Sequence, residues 1–161
     1  MKKISIIFFA LLLIISCSKK KEESPEGFRG GVSMPPQLGI KMGKTHVVVP
    51  DEVNKVWKSV SIEVFDKESN ESKKFNIDIG KEFTIPGSDI KVKIEVFLPT
   101  LKIMDDTITS SSNEPKNPAI RTLITENGKE LFHGWLYKRF PMIHPFQHNK
   151  YRITLVGCSK K

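Results

Sequence analysis

In residues 90–98, IKVKIEVFL, apolar and charged side chains alternate: Ile90, Val92, Ile94, Val96 and Leu98 fall on one face, with Lys91, Lys93 and Glu95 on the other. A period of two belongs to a β-strand with one face in a core and one in water. The same period extends outward in both directions. Upstream, Val56, Val60, Ile62 and Val64 alternate with polar neighbours, as do Phe75, Ile77 and Ile79. The polar run 66–72 (DKESNES) reads as a hairpin loop between them, and Pro86-Gly87-Ser88-Asp89 as a tight turn into the 90–98 strand. Downstream, 107–118 reads as a polar loop. Residues 119–125 and 129–137 then flank Glu126-Asn127-Gly128, and Asn-Gly supplies the two positive-φ residues of a type I′ hairpin turn. A last strand is expected at 151–158, after an irregular segment 138–150 broken by Pro141 and Pro145. Six or seven short antiparallel strands predict an all-β domain, a small sandwich or partly open barrel.

That domain occupies only part of the 161 residues. Lys2 and Lys3 precede a 12-residue apolar run, Ile4 to Ile15, which has the length of a signal-peptide core and is too short to span a bilayer. The run ends at Ile14-Ile15-Ser16-Cys17, which resembles the lipobox of bacterial lipoproteins. The resemblance implies cleavage after residue 16 and acylation of Cys17, palmitate among the chains, and more than one chain makes membrane attachment stable. Ser18 in place of an aspartate favours the outer membrane, with the domain on its periplasmic face. Residues 17–50 carry four prolines and five glycines and read as a tether, a coil of roughly 30 Å root-mean-square span; within it, 45–49 can pair as an edge strand. The domain is expected over 51–158, followed by a basic tail, 159–161.

The formal net charge is +8, but residues 51–158 hold sixteen Lys/Arg against fifteen Asp/Glu. The excess lies in the leader, the tether and the tail, so the folded part offers no basic face and no spaced aromatic platform for nucleic acid. The basic tether instead suits anionic headgroups or peptidoglycan.

Phe132-His133-Gly134-Trp135-Leu136-Tyr137, then Pro141, then His148-Asn149-Lys150-Tyr151, and finally Cys158, resemble the carboxy-terminal signature of domain-of-unknown-function family 2155, a family of bacterial envelope proteins. The likeness extends over about 50–158, including Trp57 and Gly80. It implies an envelope domain and carries over no activity, cofactor or catalytic residue. It also implies that relatives hold a cysteine where Phe97 stands, near Cys158, leaving Cys158 here as a free thiol. Asn149 replaces a proline common in relatives.

Within the signature, Gly134, Trp135, His148 and Tyr151 are read as structural, with Trp135 and Tyr151 packed in the core and His148 pinning the entry to the last strand. Arg139, Phe140, Pro141 and Phe146, in irregular chain, are the expected docking residues for an envelope protein or glycan. Catalysis is not expected. No Gly-x-Ser-x-Gly, phosphate-cradling loop or Ser-x-x-Lys occurs, and Asp105-Asp106 would point to opposite faces of a strand. No cofactor is expected either. The alternative is a metal-binding or thiol-reactive protein using His133, His144, His148 and Cys158, with Cys158 made reactive by the basic tail and His148 as base.

Overall fold

The computed structural model describes residues 45–161. The expected signal peptide, the expected lipidation site Cys17 and the expected tether up to residue 44 lie outside the described residues. In chain order the elements are β1 (His46–Val47), α1 (Asp51–Val56), β2 (Trp57–Asp66), β3 (Glu71–Asp78), β4 (Glu82–Thr84), β5 (Ile90–Leu98), β6 (Leu101–Met104), β7 (Thr107–Ser110), β8 (Ala119–Glu126), β9 (Lys129–Tyr137) and β10 (Tyr151–Lys160). The fold is all-β, and no sheet is closed into a barrel. No helix among the described residues is long and apolar enough to cross a membrane.

Two antiparallel sheets, ordered β10-β2-β3 and β4-β5-β8-β9, make the body of the domain. Val60, Ile62, Ile77, Ile153 and Leu155 from the first meet Ile90, Val92, Ile94, Phe97, Ile120, Ile124 and Leu136 from the second in one buried cluster. This is the expected sandwich, its two inner faces supplied by period-two alternation. The third sheet, β1-β7-β6, is small. In it β1 runs parallel to β7 while β6 and β7 form a hairpin, so part of the expected 107–118 loop is strand. The domain also begins earlier than residue 51: His46 and Val47 are paired, and Val49 packs on the core. Val56 ends α1 rather than opening a strand. That helix has only six residues, with Asp51 and Glu52 in its first turn and Lys55 in its last, where they oppose the helix dipole favourably.

Among the described residues there are ten strands rather than six or seven, because β1, β4, β6 and β7, two to four residues long, add to the six longer ones. The turns are where the sequence puts them. Asn127 and Gly128 have φ of 51° and 79°, as the hairpin requires, and Gly87 (φ 77°) sits in the turn before β5. The alternation of β5, however, breaks at a bulge between Ile94 and Val96. Phe97, not Val96, therefore faces the core, and Leu98 is buried outside the main cluster.

The two edges of the sandwich differ. On one, the chain passes from β3 to β4 through Gly80 (φ 85°), and the amides of Ile79 and Gly80 donate to Lys58 of β2 and Ile94 of β5, lacing the sheets together. On the other edge, β9 and β10 are the outer strands of their sheets and no ladder joins them. Segment 138–150 connects these two strands.

Candidate functional site

Segment 138–150 leaves β9 with the Lys138 amide bonded to the Pro118 carbonyl. Residues 140–143 then form a turn closed by the Ile143 amide on the Phe140 carbonyl at 3.0 Å. Pro141 occupies the second position of this turn, where its fixed φ is favourable. The turn is apolar yet open to water: Phe140 is 48%, Met142 77% and Ile143 49% exposed. The Arg139 guanidinium lies over the Phe140 ring at 5.7 Å.

Beyond His144 the chain turns inward. Phe146 is buried, contrary to its expected place on the docking surface. Its ring meets Phe132 edge-on at 6.1 Å and stacks on His148 at 5.8 Å, and His148 in turn stacks on Tyr151 at 5.7 Å. This column fills the core where no ladder joins β9 to β10. Gly134 makes it possible: Phe132 and Gly134 share the inner face of β9, and a Cβ on Gly134 would stand 2.9 Å from the Phe132 ring.

His148 does pin the entry to β10, but by accepting rather than by bonding a carbonyl. Its Nδ1 takes the amides of Lys150 (3.2 Å) and Tyr151 (3.1 Å), and its Nε2 lies 3.5 Å from a Glu126 carboxylate oxygen. The Lys67 side chain donates to the His148 carbonyl at 2.6 Å and the Lys67 amide to the Lys150 carbonyl. The Lys150 ammonium sits 2.7 Å from Glu68 and 3.9 Å from Asp66. Burial pulls the Asp66 carboxyl up, but the amides of Glu68 and Ser69 and the Lys150 charge outweigh it, leaving the group below the ordinary aspartate range. Both ends of the segment are fixed, and the middle is exposed.

Tyr151 is buried as expected, whereas Trp135 is only partly buried. It sits opposite Arg121 on the face of β9 turned away from Leu136, so it is not a core anchor. The buried tryptophan is Trp57, edge-on to Phe97 at 5.2 Å. A cleft of about 330 Å³ beside it carries both signs of charge, Lys58 and Lys81 with Asp78 and Glu95.

The histidine and thiol alternative does not assemble. His133 bonds Glu95 at 2.8 Å on the outer sheet face, beside Arg121, while His144 is exposed at a positive φ of 49° and His148 lies in the aromatic column. Among the described residues no group of three or more His, Cys, Asp or Glu side chains is placed to hold a metal ion. Cys158 pairs with Val60, whereas Tyr151, against which His148 stacks, pairs with Asp66 at the other end of β10. Seven residues of strand separate them, roughly 23 Å, too far for a base and its nucleophile. Burial pushes the Cys158 thiol up, only partly offset by Lys138 and Lys160, so the basic tail does not make it thiolate-prone. Phe97 and Cys158 lie on different sheets, and Cys158 packs against the cluster that contains Phe97.

Residues the sequence did not single out matter here too. A groove of about 240 Å³ runs between the segment and the start of β10, lined by Met142, Pro145 and Phe146 on one side and Lys67, Arg152 and Thr154 on the other. Lys67 lies in the turn after β2 and Arg152 in β10, and the register of the long-range β2–β10 ladder brings them together.

Fold and site together define a β-sandwich in which the edge between β9 and β10 is bridged by a pinned, apolar and basic loop. The chain belongs to the family described as an uncharacterised protein conserved in bacteria, DUF2155, which it matches over residues 60–158. Comparisons with curated proteins and with solved structures find no match.

Proposed function

We propose that this is a lipid-anchored cell-envelope protein that acts by binding, without catalysis, and that segment 138–150 is the surface through which it docks an envelope protein or a glycan. Acylation of Cys17 holds it at the membrane, with the periplasmic face of the outer membrane favoured and the residues before β1 serving as tether. Arg139, Phe140 and Pro141 are the docking residues; Phe146 supports them from beneath.

The observation that carries this reading is the turn 140–143. Three large apolar side chains are held in water by a segment whose ends are fastened to Pro118, just before β8, and to Lys67 in the β2–β3 turn. A partner that covers them gains their burial without ordering the loop, and preformed surfaces of this kind make efficient contacts. The basic residues beside them add charge selectivity.

The test is crosslinked capture from intact envelopes with the wild-type chain, Phe140→Ala and Arg139→Ala in parallel. The expected result is a partner retained by the wild type and lost from both variants at unchanged melting temperature. Capture that survives in both variants places the docking surface elsewhere.

A further inference from the structure

We infer that the partner of this segment is a protein and that it binds as an extended acidic strand added to the free edge of β10 over residues 152–154. The inference rests on the docking role of segment 138–150 and names the form of what docks there.

Among the described residues β10 is an outer strand, bonded to β2 alone. An unpaired edge presents a row of amide and carbonyl groups that a further strand satisfies. Along 152–154 this edge is flanked by the groove that Met142, Pro145 and Phe146 wall on the far side. Ile153 is buried on the inner face, while Arg152 and Thr154 belong to the outer face. An added strand alternates in the same way, because residues directly opposite each other share a face. Its residue beside Ile153 therefore points toward Pro145 and Phe146, its neighbour opposite Arg152 meets Arg152 with Lys67 next along the same face, and its other neighbour lies opposite Thr154, whose partner on β2 is Glu63.

Charge fixes the chemistry of those neighbours. Among the described residues Lys67 and Arg152 are the charged side chains lining the groove, and no carboxylate lines it. The nearest acids in sequence, Asp66 and Glu68, are engaged by Lys150, whereas neither Lys67 nor Arg152 forms an ion pair among the described residues. Instead Lys67 reaches the His148 carbonyl, and Arg152 lies over the Phe65 ring at 4.6 Å. The cleft beside Trp57, with both signs of charge, has no such preference. The strand that fits the β10 edge thus has one apolar residue with Asp or Glu beside it on the Arg152 side.

Random ten-residue peptides displayed on phage, selected on the full chain in detergent and then measured by fluorescence anisotropy, test the inference. Selected peptides should carry an acidic residue next to an apolar one and lose at least about tenfold in affinity for Arg152→Glu and for Lys67→Glu. Methylating alternate backbone nitrogens of the peptide should abolish binding in one register and spare it in the other, a result independent of any change to the protein. An empty selection, peptides without the acidic–apolar pair, or indifference to both methylation registers overturns the inference. The docking role itself is read separately, from retention of the chain on purified peptidoglycan sacculi. Retention lost in Phe140→Ala alongside an empty selection means a glycan partner, which refutes the strand and spares the site. An empty selection together with retention equal in wild type and Phe140→Ala removes both.

Discussion

Truncating Phe146 tests the division of segment 138–150 into support and surface. Its ring is 4% exposed, in contact with Phe132 at 6.1 Å and His148 at 5.8 Å, and it packs on the side of the sandwich where β9 and β10 do not pair. Removing a buried phenyl ring costs about 3–5 kcal/mol, of which each aromatic contact supplies about 0.5–1.5 kcal/mol. In a domain of this size each kcal/mol lowers the melting temperature by about 3–6 °C, so Phe146→Ala should melt about 10–25 °C below the wild type. Phe140, six residues earlier and 48% exposed, falls in the class of surface substitutions worth about 0.5 kcal/mol or less. Phe140→Ala should therefore stay within about 3 °C. Circular dichroism melts of the three proteins side by side give the answer. Should Phe146→Ala melt within 3 °C of wild type, or Phe140→Ala fall as far as Phe146→Ala, the placement of the two rings is wrong, and with it the docking surface.

His148→Ala removes the acceptor of the Lys150 and Tyr151 amides and should cost about 1–3 kcal/mol, with hydrogen exchange of those two amides accelerating most. Gly134→Ala should lose about 1–3 kcal/mol through displacement of the Phe132 ring, and the loss should shrink in a Phe132→Leu background. Because burial raises the Cys158 thiol, its thiolate is scarcer at neutral pH than that of free cysteine; iodoacetamide should modify it more slowly than glutathione, with the rate still climbing at pH values where glutathione has levelled off. Mass spectrometry of the envelope-derived protein should find an acylated amino terminus at Cys17, and Cys17→Ser should release the protein from membranes; an unmodified terminus refutes the anchor.

How much of this was legible depended on whether a residue's neighbours shared its period. The Asn127-Gly128 hairpin could be read because its turn chemistry is local, and the inward residues Ile90, Val92 and Ile94 because they precede the bulge. Past the bulge the same alternation puts Val96 and Leu98 in the core, where Phe97 stands. A second shift between Leu155 and Gly157 returns Cys158 to the core side of β10, where strict alternation turns it outward. One extra residue in a strand leaves no mark on composition, only on phase. Phe146 was misplaced for a related reason: a lone buried aromatic in irregular chain has no period to betray it. Trp135 was misplaced because a tryptophan in a strand reads as core, although here the partner across the ladder is Arg121 on the outer face.

The misplacement of Phe146 points to what the long connection achieves. Two adjacent outer strands, β9 and β10, joined by a short hairpin would pair and extend one sheet across the gap, leaving little edge to bind anything. Thirteen residues separate them instead, and the closure that hydrogen bonds would give is supplied by side chains, the column Phe132–Phe146–His148–Tyr151. Side-chain closure leaves the backbone edge of β10 unspent. It also ties the site to the core, since His148 stacks within the column while its Nδ1 holds the amides that open β10. A substitution that loosens the column should therefore weaken docking even when the exposed turn is untouched, whereas one on the turn should weaken docking without loosening the column. That asymmetry follows from the connectivity alone.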